Sequence, residues 1–258
     1  ESSWAGSWLI GIPLSGLLIA HFGWHSPFVL ISGAAFIAII ATKTLREVVQ
    51  ANPNKEESTS QVVSSAVEEV TAGAKPVSIL GVSLLMVFAN ENMVIVYGAW
   101  LENQFNLQVQ TLGLYSILVG LAELGGEFTV VFLVDRFGKR RAILTGLICT
   151  GLSYLALPFC QSSLVLAFVG LVVMFYLFEF TIVSIFPYVS ELVPEERGKW
   201  FAFNFSALVV GRMAGALVGP WLWQRSGDLA ILVFFSLLAQ VVAVILLLLS
   251  SKRTAHSA

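Results

Sequence analysis

This chain has little charge: Asp, Glu, Lys and Arg make up 12% of its 258 residues, about half the share usual in soluble domains. A soluble fold would leave too little polar sequence to coat a core holding so many apolar runs. No basic tract occurs and the formal net charge is −2, so nucleic acid has no electrostatic handle and is not expected as a partner. Cysteine is scarce. Cys149 and Cys160 are the only two, and their place in or at the end of apolar runs argues against a disulfide framework. Histidine is scarce as well, and His21 and His25, although four apart, flank Gly23 and precede Pro27, which makes a turn rather than a helical metal site. No metal and no cofactor are expected. Phosphate-cradling glycine loops, nucleotide-binding motifs and catalytic triad patterns are missing. That disfavours transport driven by the chain's own ATP hydrolysis and leaves an enzyme without a nucleophile and base. Glu1 stands where a methionine would, with no charged signal-peptide start; the expectation is an N-terminally truncated chain.

What is present in quantity is apolar sequence, at 57% hydrophobic residues and a mean hydropathy of +0.85. The expected class is an all-α membrane protein. Eight segments are long enough to cross a hydrocarbon layer about 30 Å thick, near 4–20, 26–44, 77–101, 111–134, 142–160, 164–188, 199–223 and 228–250. Most connections are brief, which makes neighbouring helices antiparallel. Twelve of the fourteen basic residues fall in alternate connections or the tail, Arg225 lies on the other side, and Arg212 lies within a span. By the positive-inside rule this predicts a multi-pass protein with a cytoplasmic C-terminus. Trp24, Trp100, Trp221, Trp223 and Trp200 fall at segment ends, as interfacial belts require. The chain divides into 1–44, a polar central loop over 45–76, a six-helix unit over 77–250 and a tail over 251–258. Val62, Val63, Ala66, Val67 and Val70 in the loop form one stripe of a possible surface helix; a disordered linker is the alternative.

Five ionisable residues lie deep in the predicted spans: Glu91, Glu123, Glu127, Glu179 and Arg212. Charges at that depth are costly unless paired, protonated or turned to a water-filled cavity, and those are the states that proton-coupled transport uses. Glu91 lies between Asn90 and Asn92, a polar patch that lipid-facing packing does not tolerate; a hydrogen-bonding cluster between helices is the other reading. Glu123 and Glu127 share a helix face, where two ionised carboxylates repel, which suits a proton carrier. With Gly120, Gly125 and Gly126 around them, a tight helix contact is the alternative. Glu179 is set among aromatics, facing a cavity or paired with Arg212. Arg212 can bind an anionic substrate or serve as counter-ion to Glu91 or Glu179.

Gly211, Gly215 and Gly219 recur every fourth residue beside Arg212 and let a neighbouring backbone approach closely. Ser7, Gly11, Ser15 and Gly23 stand in the same spacing as Gly211, Gly215, Gly219 and Gly227, each 204 positions earlier (211 − 7). This offset hints at two related halves.

The loop Asp135-Arg136-Phe137-Gly138-Lys139-Arg140-Arg141 resembles the D-R-x-G-R/K-R/K signature of the major facilitator superfamily of secondary transporters, with Val131 at the usual upstream glycine. Glu191, Pro194 and Arg197-Gly198 are similar to that family's connection before its eleventh helix. Gly11-Ile12-Pro13-Leu14-Ser15-Gly16 is a loose version of the antiporter glycine-proline motif. Gly23-Trp24-His25-Ser26-Pro27-Phe28 looks like the G-W-R-x-P-F turn of drug and proton antiporters, with His25 for the arginine. The resemblance implies an MFS-type bundle in which the eight segments are helices five to twelve of twelve. The first four helices would then belong to the missing N-terminal part of the same parent chain. It also implies a gating latch at Asp135, Arg136, Gly138, Lys139, Arg140 and Arg141, and a central cavity reached by Glu91 and Glu179. The expected function is alternating-access transport of a small organic solute at the plasma membrane, as proton-coupled export. The alternative is a transport-inactive membrane receptor or scaffold, or a non-functional fragment.

Overall fold

The structure, a computed structural model, describes residues 7–45 and 74–252. The central loop, with its valine stripe, and the tail beyond Lys252 lie outside the described residues, apart from the loop's ends. Every regular element among the described residues is helical. A π-helical turn, Ser7–Gly11, leads into α1 (Ile12–Phe22), and α2 is Ser26–Leu45. Then come α3 (Ala74–Val94) and the short α4 (Tyr97–Phe105), α5 (Val109–Phe137) and α6 (Lys139–Ala156). The chain closes with α7 (Leu164–Leu192), α8 (Arg197–Ser226) and α9 (Leu229–Lys252).

Among the described residues, six helical stretches are long and apolar enough to cross a membrane: Val77–Phe105, Val109–Phe137, Lys139–Ser162, Leu164–Leu192, Pro194–Ser226 and Leu229–Ser250. They answer to the last six expected segments. Two shorter apolar helices, Leu9–Phe22 and Ser26–Thr42, answer to the first two. The third segment differs from its expected form, because it runs on to Phe105 and is broken at Ile95 and Val96. There the Val96 amide turns to the Met93 carbonyl (3.1 Å) rather than to Asn92. Asn106 then ends the span in the left-handed conformation (φ 52°), one of the few non-glycine types that accepts it readily.

In lipid the hydrophobic effect gives helices no reason to associate, so close packing and polar contacts must do it. α3 is the hub and packs against α8 and α9, while α7 packs against α5 and α6, and α6 also against α9. The glycine stripe explains the α3–α8 seam. A methyl group on Gly215 would sit 2.6 Å from the Glu91 Cβ and 2.7 Å from the Phe88 carbonyl, and one on Gly219 would meet the Asn92 backbone at 2.9 Å. Gly211 faces the Leu84 carbonyl in the same way. Buried side chains fill the rest in two large clusters and a small one of Val130, Val134 and Ala142. One large cluster contains Met93, Trp100, Tyr154, Phe175 and Leu232, the other Met86, Ile143, Leu147, Ile185 and Trp200.

Polar side chains cross-link the same helices. Ser83 donates to the Asn204 side chain (2.7 Å), Ser236 to the Ala89 carbonyl (2.9 Å) and Gln240 to the Leu147 carbonyl (2.9 Å).

α1 is attached through α5, where a methyl group on Gly16 would lie 3.4 Å from the Gly113 Cα. Its buried face is Pro13 and Gly16; Ser7 and Gly11 are exposed and Ser15 is half-buried. The stripe expected on this helix is therefore rotated off the contact, because the proline fits against α5 where the small residues were expected. The last pair of the offset does correspond, since Gly23 (φ 82°) and Gly227 (φ 61°) both end their helices in a positive-φ turn. α2 touches α1, and residues 28–42 are all exposed.

Two tryptophans correct the expected belts. Trp24 and Trp221 are exposed, but Trp100 and Trp200 are buried in the two core clusters. A segment end here is covered by neighbouring helices, so the large ring packs inward.

Candidate functional site

Glu91 lies in the last turn of α3, just before the break. Helix carbonyls and the macrodipole make that a poor place for a negative charge, and a nearby cation compensates it. The cation is Arg212 of α8, whose guanidinium attracts the Glu91 carboxylate across the α3–α8 seam. Both side chains are half-buried, and Gly215 gives Glu91 the room to sit against α8. Beside it Asn92 is fully buried with neither polar side-chain atom hydrogen-bonded, and Asn90, also buried, has an unpartnered Oδ1. Unsatisfied amides at this depth cost about 1–3 kcal/mol each, so a polar ligand or water is the natural complement of the patch.

The other acids lie where α5 crosses α7. Glu123 and Glu179 are buried and Glu127 is half-buried. The Glu179 Cβ lies 3.0 Å from where a methyl group on Gly126 would be, so Gly126 is what allows α7 to bring Glu179 against the Glu123–Glu127 face. The contact is tight, and it sets Glu179 beside the stretch of α5 that carries Glu123 and Glu127. Tyr97, the first residue after the break, lies within electrostatic reach of Glu123 and stacks edge-on against Phe175 at 6.1 Å. The Tyr176 hydroxyl and Thr129 share a 2.6 Å hydrogen bond at the same crossing.

Tyr97, Tyr176 and Thr129 escape a reading confined to ionisable residues. Their signal was a polar group inside an apolar run, the same signal that Ser83, Asn204 and Gln240 carry. Among the described residues, no group of three His, Cys, Asp or Glu is placed so as to hold a metal ion.

The expected gating loop is a sharp turn. Asp135 and Arg136 end α5, Gly138 turns the chain at φ 84°, and Lys139, Arg140 and Arg141 begin α6. Lys139 forms an ion pair with Glu191 near the end of α7, and Arg140 donates to the Leu247 carbonyl of α9 at 2.7 Å. The two motifs noted separately in the sequence are thus joined at one end of the bundle. Arg225, stacked over the Trp221 ring at 4.5 Å, sits at the far end of α8. His21 and His25 are exposed at the α1–α2 turn, with the His21 Nδ1 3.0 Å from the Leu17 carbonyl.

A sequence profile described as Major Facilitator Superfamily matches residues 79–258. The chain belongs to the Major Facilitator Superfamily. Over 228 residues it is 25% identical to "Uncharacterized MFS-type transporter YceJ" of Bacillus subtilis (strain 168), covering 86% of this chain and 56% of that protein. Over 218 residues it is 27% identical to "Multi-drug resistance efflux pump PmrA homolog" of Lactococcus lactis subsp. lactis (strain IL1403), covering 82% and 52%. The chain thus spans about half the length of these curated relatives. Its fold is that of a bacterial homologue of the iron transporter ferroportin solved in an inward-facing state, with a TM-score of 0.69, 16% identity, and coverage of 97% of this chain and 63% of that one. The chain is accordingly an integral, multi-pass membrane member of the Major Facilitator Superfamily.

Proposed function

We propose that this chain is the larger part of a proton-coupled exporter of small organic solutes, with Glu91 and Arg212 at its centre. The observation that carries the reading is that the two lie within electrostatic reach across the α3–α8 seam, beside a broken membrane span and unpartnered buried amides. A carboxylate with a cationic neighbour can exchange a proton for a change of partner, and the break frees the two parts of the span to move separately. Glu123, Glu127 and Glu179 supply a second proton-exchanging group at the α5–α7 crossing. The efflux-pump relative, 27% identical over 218 residues, supports export and an organic cargo. In this reading α1 and α2 belong to a first bundle, completed by further helices of the same parent chain. The protein lies in the plasma membrane with the Lys139–Glu191 latch and the C-terminus on the cytoplasmic side.

The test is Glu91→Gln in a transport-competent protein containing this chain, reconstituted in liposomes under an imposed pH gradient. Loss of gradient-driven solute flux, with solute binding retained, is the expected result. Unchanged coupling and unchanged flux remove Glu91 from the mechanism, and absence of any solute movement by the unsubstituted protein favours a receptor or scaffold.

A further inference from the structure

At the turn between α5 and α6 an open cavity of about 700 Å³ is lined by four cations, Arg136, Lys139, Arg140 and Arg141, with Asp135 and Glu191 as its acids. Lys139 and Glu191 pair with each other, which leaves three arginines against Asp135. Arg140 is held in place by the Leu247 carbonyl, while Arg136 and Arg141 are exposed. Guanidinium groups grouped in this way match the geometry of phosphate oxygens.

The surface below the cavity says where the phosphate comes from. Phe132 and Phe128 stand four and eight residues before Arg136 on α5, so they share its face of the helix, and they are 66% and 62% exposed. Leu121, Leu118 and Leu114 continue as exposed residues further along the span. A basic pocket therefore caps an apolar stripe that runs into the membrane. Free phosphate would use the pocket alone, whereas a phospholipid uses both parts, and a negative headgroup adds about 1 kcal/mol of attraction for each nearby arginine.

We propose that this cavity binds the headgroup of an anionic phospholipid whose acyl chains lie along Phe132 and Phe128 of α5. The site is independent of the transport reading, since it needs only the bundle and the bilayer.

The experiment is native mass spectrometry of the 258-residue chain extracted from mixed phosphatidylglycerol and phosphatidylcholine bilayers, with circular dichroism to check folding. Expected is selective retention of one phosphatidylglycerol, weakened roughly thirtyfold in R136A/R141A. Retention should be largely kept in R136K/R141K, reduced in F128A/F132A, and unchanged in the opposite-end control R225A. Equal retention of the two lipids would overturn the proposal, as would full retention by R136A/R141A. Displacement by soluble glycerol phosphate at concentrations comparable with the lipid would also overturn it, because the site would then be one for free anions.

Discussion

Gly215 shows how much one absent side chain can decide. A methyl group there would fall 2.6 Å from the Glu91 Cβ and 2.7 Å from a backbone carbonyl, and backbone cannot swing aside as a long side chain can. Gly215→Ala is expected to destabilise the bundle by about 1–3 kcal/mol, the usual cost of overpacking. Gly98→Ala, whose added methyl meets nothing within 4 Å, should be neutral to slightly stabilising. Unfolding in mixed micelles by SDS titration separates the two, and equal midpoints would show that the α3–α8 contact is looser than described. The charge pair makes a second prediction at this scale. In a double-mutant cycle of Glu91→Gln and Arg212→Gln, the non-additive part should be about 0.5–3 kcal/mol, because each single change leaves the other group without its electrostatic neighbour. A coupling indistinguishable from zero would mean that the two groups do not sense each other.

Among the elements, α3 is held by polar links as much as by shape. Ser83 and Asn204 form a buried side-chain hydrogen bond between α3 and α8, and Ser236 ties α9 to α3 through the Ala89 carbonyl. Inside a membrane such bonds are individually modest, about 0.6 kcal/mol on average and at most about 1.7. Ser83→Ala should therefore lower stability by about that amount without displacing α8, and a loss several times larger would mean that the contact also fixes the helix register. The break at Ile95–Val96 acts at the same scale. It places Glu91 at the end of one helix and Tyr97 at the start of the next, so a movement of α4 relative to α3 is felt at both groups of acids.

For the molecule as a whole, the contacts divide the chain unevenly. α1 is joined to the six long spans through α5, and α2 through α1. Residues 74–258 produced alone are expected to keep their helical content and form a monodisperse species in detergent; loss of helicity beyond that of the deleted residues would contradict the division. At the basic end, Lys139–Glu191 and Arg140–Leu247 tie the α5–α6 turn to α7 and α9. The ion pair is largely open to solvent on its Glu191 side, so Glu191→Gln should cost less than about 1 kcal/mol in thermal stability. Its larger consequence should be faster amide hydrogen exchange over residues 136–141, measurable by mass spectrometry; unchanged exchange would remove the pair from any latch.

The spans, their number to within the two short helices, and the membrane class were all legible from the chain alone. A bilayer imposes about 20 apolar residues on any helix that crosses it, and such a rule acts on composition and can be read without coordinates. The glycines at 211, 215 and 219 were legible for a related reason, since spacing along one helix places residues on one face whatever the partner. What faces what was another matter. Whether Arg212 senses Glu91, whether Glu179 meets the Glu123–Glu127 face, where Trp100 and Trp200 turn, and which side of α1 touches α5 all depend on helices distant in sequence. Only packing brings those helices together. Local periodicity thus determined the elements of this protein, and the close approach of backbones at glycine decided which of its polar groups share a site.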